Sequence, residues 1–168
     1  MKYHVLGTVI IIAVAILIRM ETDTSTFSAV QSAVFHTDHR DLFHFVAHPD
    51  TVEMWFNWIS HFRSADSKIL GVGKLYQAVY SFPLLGDFVM LFRVVEYIPD
   101  TRIVLESESL LKPRVEVTSA PVNEEKTKLT FRLTFRRSST LFQYTLGPFL
   151  HMLAQQHFKN SLSILSQM

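Results

Sequence analysis

The sequence predicts an α+β domain in which a curved antiparallel sheet of about seven strands wraps around a long C-terminal helix, behind an N-terminal membrane segment. Three features predict it. Apolar and polar residues alternate from about Ile59 to Arg137, the period of a strand. One apolar stripe at spacings of three and four follows Pro148, the period of a helix. Val5 to Ile18 runs 14 residues without a charge. Composition narrows the functional classes. A chain of 168 residues is one folded domain, and with no cysteine it is neither a disulfide scaffold nor a zinc-thiolate module. A net charge of +1 and 12% aromatic content argue against disorder and against non-specific nucleic-acid binding.

Residues 1–24 form a hydrophobic anchor or signal segment with its linker, and residues 25–168 form the domain. As a helix the charge-free run is about 21 Å long, short for a hydrocarbon core of roughly 30 Å. Tyr3 and His4 at the interface, with Lys2 and Arg19 snorkelling, extend its reach. The small-x-small pattern that signal cleavage requires, Ala13 to Ala15, lies inside the apolar run. We therefore expect a single-pass N-terminal anchor, with secretion after signal cleavage as the alternative. Lys2 against Arg19, Glu21 and Asp23 leans toward a cytoplasmic N-terminus, and no glycosylation sequon is present.

Thr22 to Thr26 is a polar linker, and Phe27 to His36 alternates as a first strand. Asp38 and Asp41 start a helix through Leu42, Phe43, Phe45 and Val46. His48-Pro49-Asp50 stops it, and a second helix restarts through Met54 to Trp58. Turn signals at Gly71-Val72-Gly73, Pro83 to Asp87, Pro99-Asp100, Lys112-Pro113 and Asn123-Glu124-Glu125 then divide roughly six strands. The last strand is the clearest: Leu129, Phe131, Leu133 and Phe135 point one way, Lys128, Thr130, Arg132, Thr134 and Arg136 the other. One face of the sheet is dry and the other wet. A helix of about 19 residues from Pro148 to Ser166, interrupted before it by Gly147-Pro148, must bury its stripe on the dry face.

Several stretches resemble a known family. Asp41-Leu42-Phe43-His44-Phe45-Val46-Ala47-His48-Pro49 followed by Trp55, then Gly71-Val72-Gly73-Lys74, then Arg93 through Ile103 stand in the order and spacing of the START-like (SRPBCC) superfamily. That group includes birch-pollen allergens, steroidogenic lipid-transfer domains, polyketide cyclases and ubiquinone-binding proteins. The resemblance covers residues 27 to 166. It implies a helix-grip fold with an apolar cavity between sheet and C-terminal helix, and it implies no single activity.

Alternation turns Leu105, Val117, Phe131, Leu133 and Phe135 toward that helix, together with Ile103, Val115 and Leu129. Tyr76 and Tyr80 share a face with Ala78. With Trp55, Phe92, His157 and Ser161 these complete the expected ligand-contacting set: Trp55, Tyr76, Tyr80, Phe92, Leu105, Val117, Phe131, Leu133, Phe135, His157 and Ser161. Such a lining suits a lipid, sterol or isoprenoid body, with the Tyr76 and Tyr80 hydroxyls, His157 and Ser161 as polar contacts. No cofactor or metal is expected. His44 and His48 have chelating i, i+4 spacing, but Pro49 follows and no Glu completes a hydrolytic motif.

The first functional reading is membrane-tethered binding, and transport, of a small hydrophobic ligand. Its partners are that ligand and a lipid bilayer, reached through Val5 to Ile18 and through the uncharged Phe82 to Gly86 loop, which is a candidate cavity rim or bilayer contact; nucleic acid is not a partner. A cyclase or dehydratase is the second reading, and it needs Glu96, Arg93 or His157 to face inward. No Ser-His-Asp order, nucleophile elbow or phosphate loop supports it. A protein-interaction adaptor using the sheet surface is the third.

Overall fold

The chain runs α1 (Lys2–Arg19), a 3-10 turn (Thr24–Phe27), β1 (Ala29–Phe35), α2 (His39–Ala47), α3 (Pro49–Trp55), β2 (Ile59–Ser64), β3 (Leu75–Phe82), β4 (Gly86–Ile98), β5 (Arg102–Ser107), β6 (Pro113–Asn123), β7 (Lys126–Phe135) and α4 (Thr140–Leu165). These assignments come from a computed structural model that describes residues 2–56, 59–82, 86–123 and 125–168. The strands form one seven-stranded sheet in the order β1-β7-β6-β5-β4-β3-β2, and every neighbouring pair is antiparallel. The sheet curls around α4. The fold class is therefore the α+β arrangement that the sequence predicts.

Alternation explains which side is dry. On β7, Thr127, Leu129, Phe131, Leu133 and Phe135 are buried while the intervening Lys128 and Arg132 are exposed. The outer face carries paired charges instead: Arg102 contacts both Glu96 and Glu116 at 3.3 Å, and Arg114 meets Glu106 at 2.6 Å. Val104, in register with Glu96 and Glu116 on that outer face, is fully buried in the same row as this ion network. On the inner face Phe43, Phe131, Phe158, Leu129 and Val94 are fully buried, each contributing about 1.5–3 kcal/mol of apolar burial.

The helices depart from their sequence-predicted bounds for identifiable reasons. Asp38 caps α2 by accepting the Arg40 N–H at 2.8 Å, and Leu42, Phe43 and Val46 form its buried side. The second helix restarts at Pro49, as the sequence predicts, because proline is at home in a first turn where its missing N–H has no partner to lose, and it ends at Trp55. Trp58 itself lies outside the described residues.

Helix α4 starts at Thr140, not Pro148, and continues through Gly147-Pro148. Pro148 costs only the hydrogen bond to the Tyr144 carbonyl, on an exposed turn that water reaches. The added turns are held from below: the Gln143 amide donates to the carbonyls of Arg137 at 2.7 Å and Phe135 at 3.3 Å, and Phe142 packs edge-on against Phe135. Gly147 is a point of close approach, since a Cβ there would stand 3.0 Å from the Phe27 ring.

The expected linker is partly stitched into the domain. Thr22 N–H donates to Ser138 O and Thr140 N–H to Met20 O, both at 2.8 Å, and Thr24–Phe27 winds into the 3-10 turn capped by Asp23. Among the described residues no helix is long and apolar enough to cross a membrane. The expected membrane-spanning segment is thus not found among the described residues. The charge-free part of α1 reaches about 21 Å against a core of roughly 30 Å. In the Phe82 to Gly86 loop, Pro83, Leu84 and Leu85 lie outside the described residues.

Candidate functional site

Two neighbouring hollows lie between the sheet and the helices. The inner one, about 70 Å³, is lined by Val46, Ala47, Val52, Trp55 and Phe56 from the α2–α3 segment, by Ile59, Phe62, Tyr76, Phe92, Ile103, Leu105, Val115, Val117 and Phe131 from the sheet, and by Phe158 of α4. The outer one, about 250 Å³, is lined by His44, Ala47, His48, Pro49, Ser64, Leu70, Lys74 and Tyr76. Ala47 and Tyr76 line both.

Aromatic stacking sets the inner wall. Trp55 stacks on Phe131 with ring centroids 5.0 Å apart and leans on Phe56 at 5.4 Å, while Phe158 closes the group at 5.7 Å from Phe131 and 5.9 Å from Phe56. Phe62 stacks on Tyr76 at 4.9 Å. Such pairs add about 0.5–1.5 kcal/mol beyond area burial. No carboxylate, histidine or lysine is among the inner lining residues. The polar groups there are the Tyr76 hydroxyl, kept protonated by burial that pushes its pKa up, and the Trp55 indole. Trp55 is 4% exposed, and its Nε1–H finds no hydrogen-bond acceptor among the described residues.

The charged groups that border the outer hollow are paired among themselves. Gly73, at φ 87°, adopts the left-handed turn that side chains disfavour, and its N–H donates to Val94 O at 2.8 Å. This turn delivers Lys74 into the wall. The Lys74 ammonium donates to Ser64 Oγ and to the Asp66 carbonyl at 2.8 Å, and pairs with the Asp66 carboxylate at 2.7 Å. Lys74 in turn holds the Asp66 carboxyl below the usual carboxylate range. His44 pairs with Asp100 at 3.0 Å, and His48 Nδ1 caps α3 by accepting the Asp50 N–H at 3.4 Å. The two histidines thus serve separate partners, and among the described residues no group of metal-ligating side chains is assembled.

Of the sequence-predicted set, Trp55, Tyr76, Phe92, Leu105, Val117 and Phe131 come together around the inner hollow. Five do not. Tyr80 is buried farther along β3, where desolvation raises its pKa strongly. Leu133 and Phe135 lie toward the far end of β7, where Phe135 packs edge-on against Phe142 in the first turn of α4. On α4 the hollow receives Phe158, so His157, one residue away and rotated by about 100°, is half-buried at its side, and burial lowers its pKa. Ser161 is fully buried, its hydroxyl without an acceptor or donor partner among the described residues.

Apart from Trp55, the sequence reading missed the contribution of the α2–α3 segment. Val46, Ala47, Val52 and Phe56 stand at helical spacings that continue the Leu42–Phe43 stripe, and this was the available signal. The phase of Glu96 is decided by a bulge in β4 between Val94 and Glu96. One extra residue rotates the strand, so Phe92, Val94 and Tyr97 face inward and Glu96 faces out to Arg102. Arg93 is likewise exposed, opposite Glu106. Neither candidate acid–base group reaches the hollow.

No known family profile and no curated protein sequence matches the chain. Solved structures do. TTHA0849 from Thermus thermophilus superposes with a TM-score of 0.66 at 12% identity, over 83% of this chain and 94% of that one. NE0264 from Nitrosomonas europaea gives 0.64 at 14% identity, over 83% and 92%. The di-domain ARO/CYC StfQ from the steffimycin biosynthetic pathway gives 0.64 at 11% identity, over 84% of this chain and 49% of that two-domain protein. At these identities the likeness concerns the backbone arrangement alone. With its curled sheet, its two short helices and the long helix it grips, this chain has a helix-grip fold.

Proposed function

We propose that the protein binds a small, uncharged, predominantly apolar molecule in the inner hollow, oriented by one hydrogen-bond acceptor that takes the Trp55 Nε1–H. The observation that carries this is the pairing of an aromatic, charge-free lining with a single buried donor left without a partner among the described residues. An unmade buried hydrogen bond costs about 1–3 kcal/mol, so a ligand carbonyl, ether or hydroxyl oxygen recovers it. The inner and outer hollows, about 70 and 250 Å³, together reach the lower end of the range for small-molecule sites. That shape favours the slender chain of a lipid or isoprenoid, threaded past Ala47 and Tyr76, over a rigid sterol. The helix α1, whose apolar side chains are exposed (Ile11 at 70%), holds the domain against a bilayer by entering it without crossing, which keeps the hollow close to an apolar source.

Native mass spectrometry of protein purified without detergent tests the binding. We expect a non-covalent adduct of neutral, apolar character that is retained less by Trp55→Phe than by the wild type. A folded protein that carries no adduct, and whose tryptophan emission no neutral apolar carbonyl compound alters, overturns the reading. The adaptor reading has one observation in its favour, the exposed Val89 and Leu91 on the outer face of β4; an empty hollow together with a protein captured through that face would support it instead.

A further inference from the structure

A third hollow, about 620 Å³, opens where α1 leaves its last turn, and Ile18, Arg19, Glu21, Lys112, Arg136, Arg137, Ser138 and Ser139 line it. Four cations meet one carboxylate there. Two of the cations are already engaged: Lys112 lies 3.8 Å from Glu108, and Arg136 lies 2.8 Å from Glu108 and 3.4 Å from Glu106. The other two are not. Arg19 is exposed, and Arg137 spends one N–H on the Leu110 carbonyl at 3.1 Å while lying over the Phe142 ring. Neither has an ion-pair partner among the described residues.

From this we infer that the groove is a binding site for the headgroup of an anionic phospholipid, with Arg19 and Arg137 as its charge-reading residues. The inference rests on the proposal that α1 enters a bilayer, and position argues for a lipid over a free anion. Ile18 is at once a groove residue and part of the exposed apolar surface of α1. When that surface is in the acyl region, the groove one residue later stands at headgroup depth. The junction is rigid enough to hold this register, because Thr22, Ser138, Met20 and Thr140 are hydrogen-bonded across it. Guanidinium groups suit phosphate oxygens geometrically, presenting paired N–H donors in a plane.

The test is flotation of the full chain with phosphatidylcholine vesicles, with and without phosphatidylglycerol, at low and high salt. Wild type should partition more strongly when phosphatidylglycerol is present, and added salt should erase the difference. Each basic residue at an anionic surface is worth about a fivefold change in partition. Arg19→Gln with Arg137→Gln should therefore cut the phosphatidylglycerol increment by about thirtyfold and leave binding to phosphatidylcholine unchanged. Arg63→Gln, on β2 at the opposite edge of the sheet, serves as the charge-matched control for Arg19→Gln alone. Arg19→Gln alone, an exposed position that packs nothing, keeps the test valid should the double variant unfold.

The headgroup site is overturned if phosphatidylglycerol adds no binding, if the double variant keeps the increment, if Arg63→Gln removes as much, or if inorganic phosphate abolishes it at matched ionic strength. Absence of binding to phosphatidylcholine together with an arginine-dependent increment would sink only the α1 proposal and leave the groove standing.

Discussion

Phe131→Ala is the most direct probe of how the inner wall is built. The ring is 1% exposed, stands on β7 between β1 and β6, and stacks on both Trp55 and Phe158. Its removal forfeits transfer energy and leaves a void on the order of 100 Å³, which at ~24 cal/mol per Å³ is about 2.4 kcal/mol of cavity cost alone. Because the site already borders a hollow of about 70 Å³, the surroundings have little to collapse onto. The total should fall in the upper part of the ~3–5 kcal/mol span for such truncations, lowering the melting temperature by about 8–20 °C in a chain of this size. Urea unfolding followed by tryptophan emission and circular dichroism measures the loss. The enlarged space should then exceed the ~150 Å³ at which dry apolar cavities take up benzene, so benzene should raise the melting temperature of the variant more than that of the wild type. A loss below about 1.5 kcal/mol, within what a volume-conserving core swap costs, or a benzene response equal in both proteins, would refute the claim that this ring is a packed wall of the hollow.

Other perturbations read other parts of the argument. Gly147→Ala places a methyl 3.0 Å from the Phe27 ring, a crowding that should cost about 1–3 kcal/mol despite alanine's better helix propensity; a stabilised variant in thermal melts would show that Phe27 is not seated against α4. Burial lowers the His157 pKa, so the unfolded chain holds that proton more tightly. Stability should therefore be full above the unfolded value of about 6.5 and decline as pH falls through the lower folded value. Urea midpoints across that window should slope in the wild type and flatten in His157→Gln. Asp66 and Glu108, whose pKa values lie below the carboxylate range because of Lys74 and Arg136, should add a separate loss only at more acid pH, where they protonate.

The fold was legible because its elements have long, clean periods. On β7 the alternation is unbroken and the register follows it; the stripe from Leu150 to Leu165 reports a buried helix face in the same way. Part of the expected set was equally readable, since Phe131, Val117 and Leu105 line the hollow through strand alternation alone, whereas Phe92 lies on a strand apolar on both faces. His157 and Ser161 were not separable from Phe158 by sequence. All three recur on one broad helical stripe, and only the rotation of α4 against the sheet selects the one that meets the hollow.

Sequence by itself determined what one-dimensional patterns encode: the order of strands and helices, the dry and wet faces of the sheet, and the absence of thiol chemistry. The tertiary structure decided what depends on where those faces meet. A one-residue bulge in β4 turned Glu96 to the outside, a glycine and a proline became a contact point inside a continuous helix because Phe27 and Gln143 hold it there, and the end of α1 was brought beside Arg137. Each is a contact between segments distant in the chain, whose energy no local propensity carries.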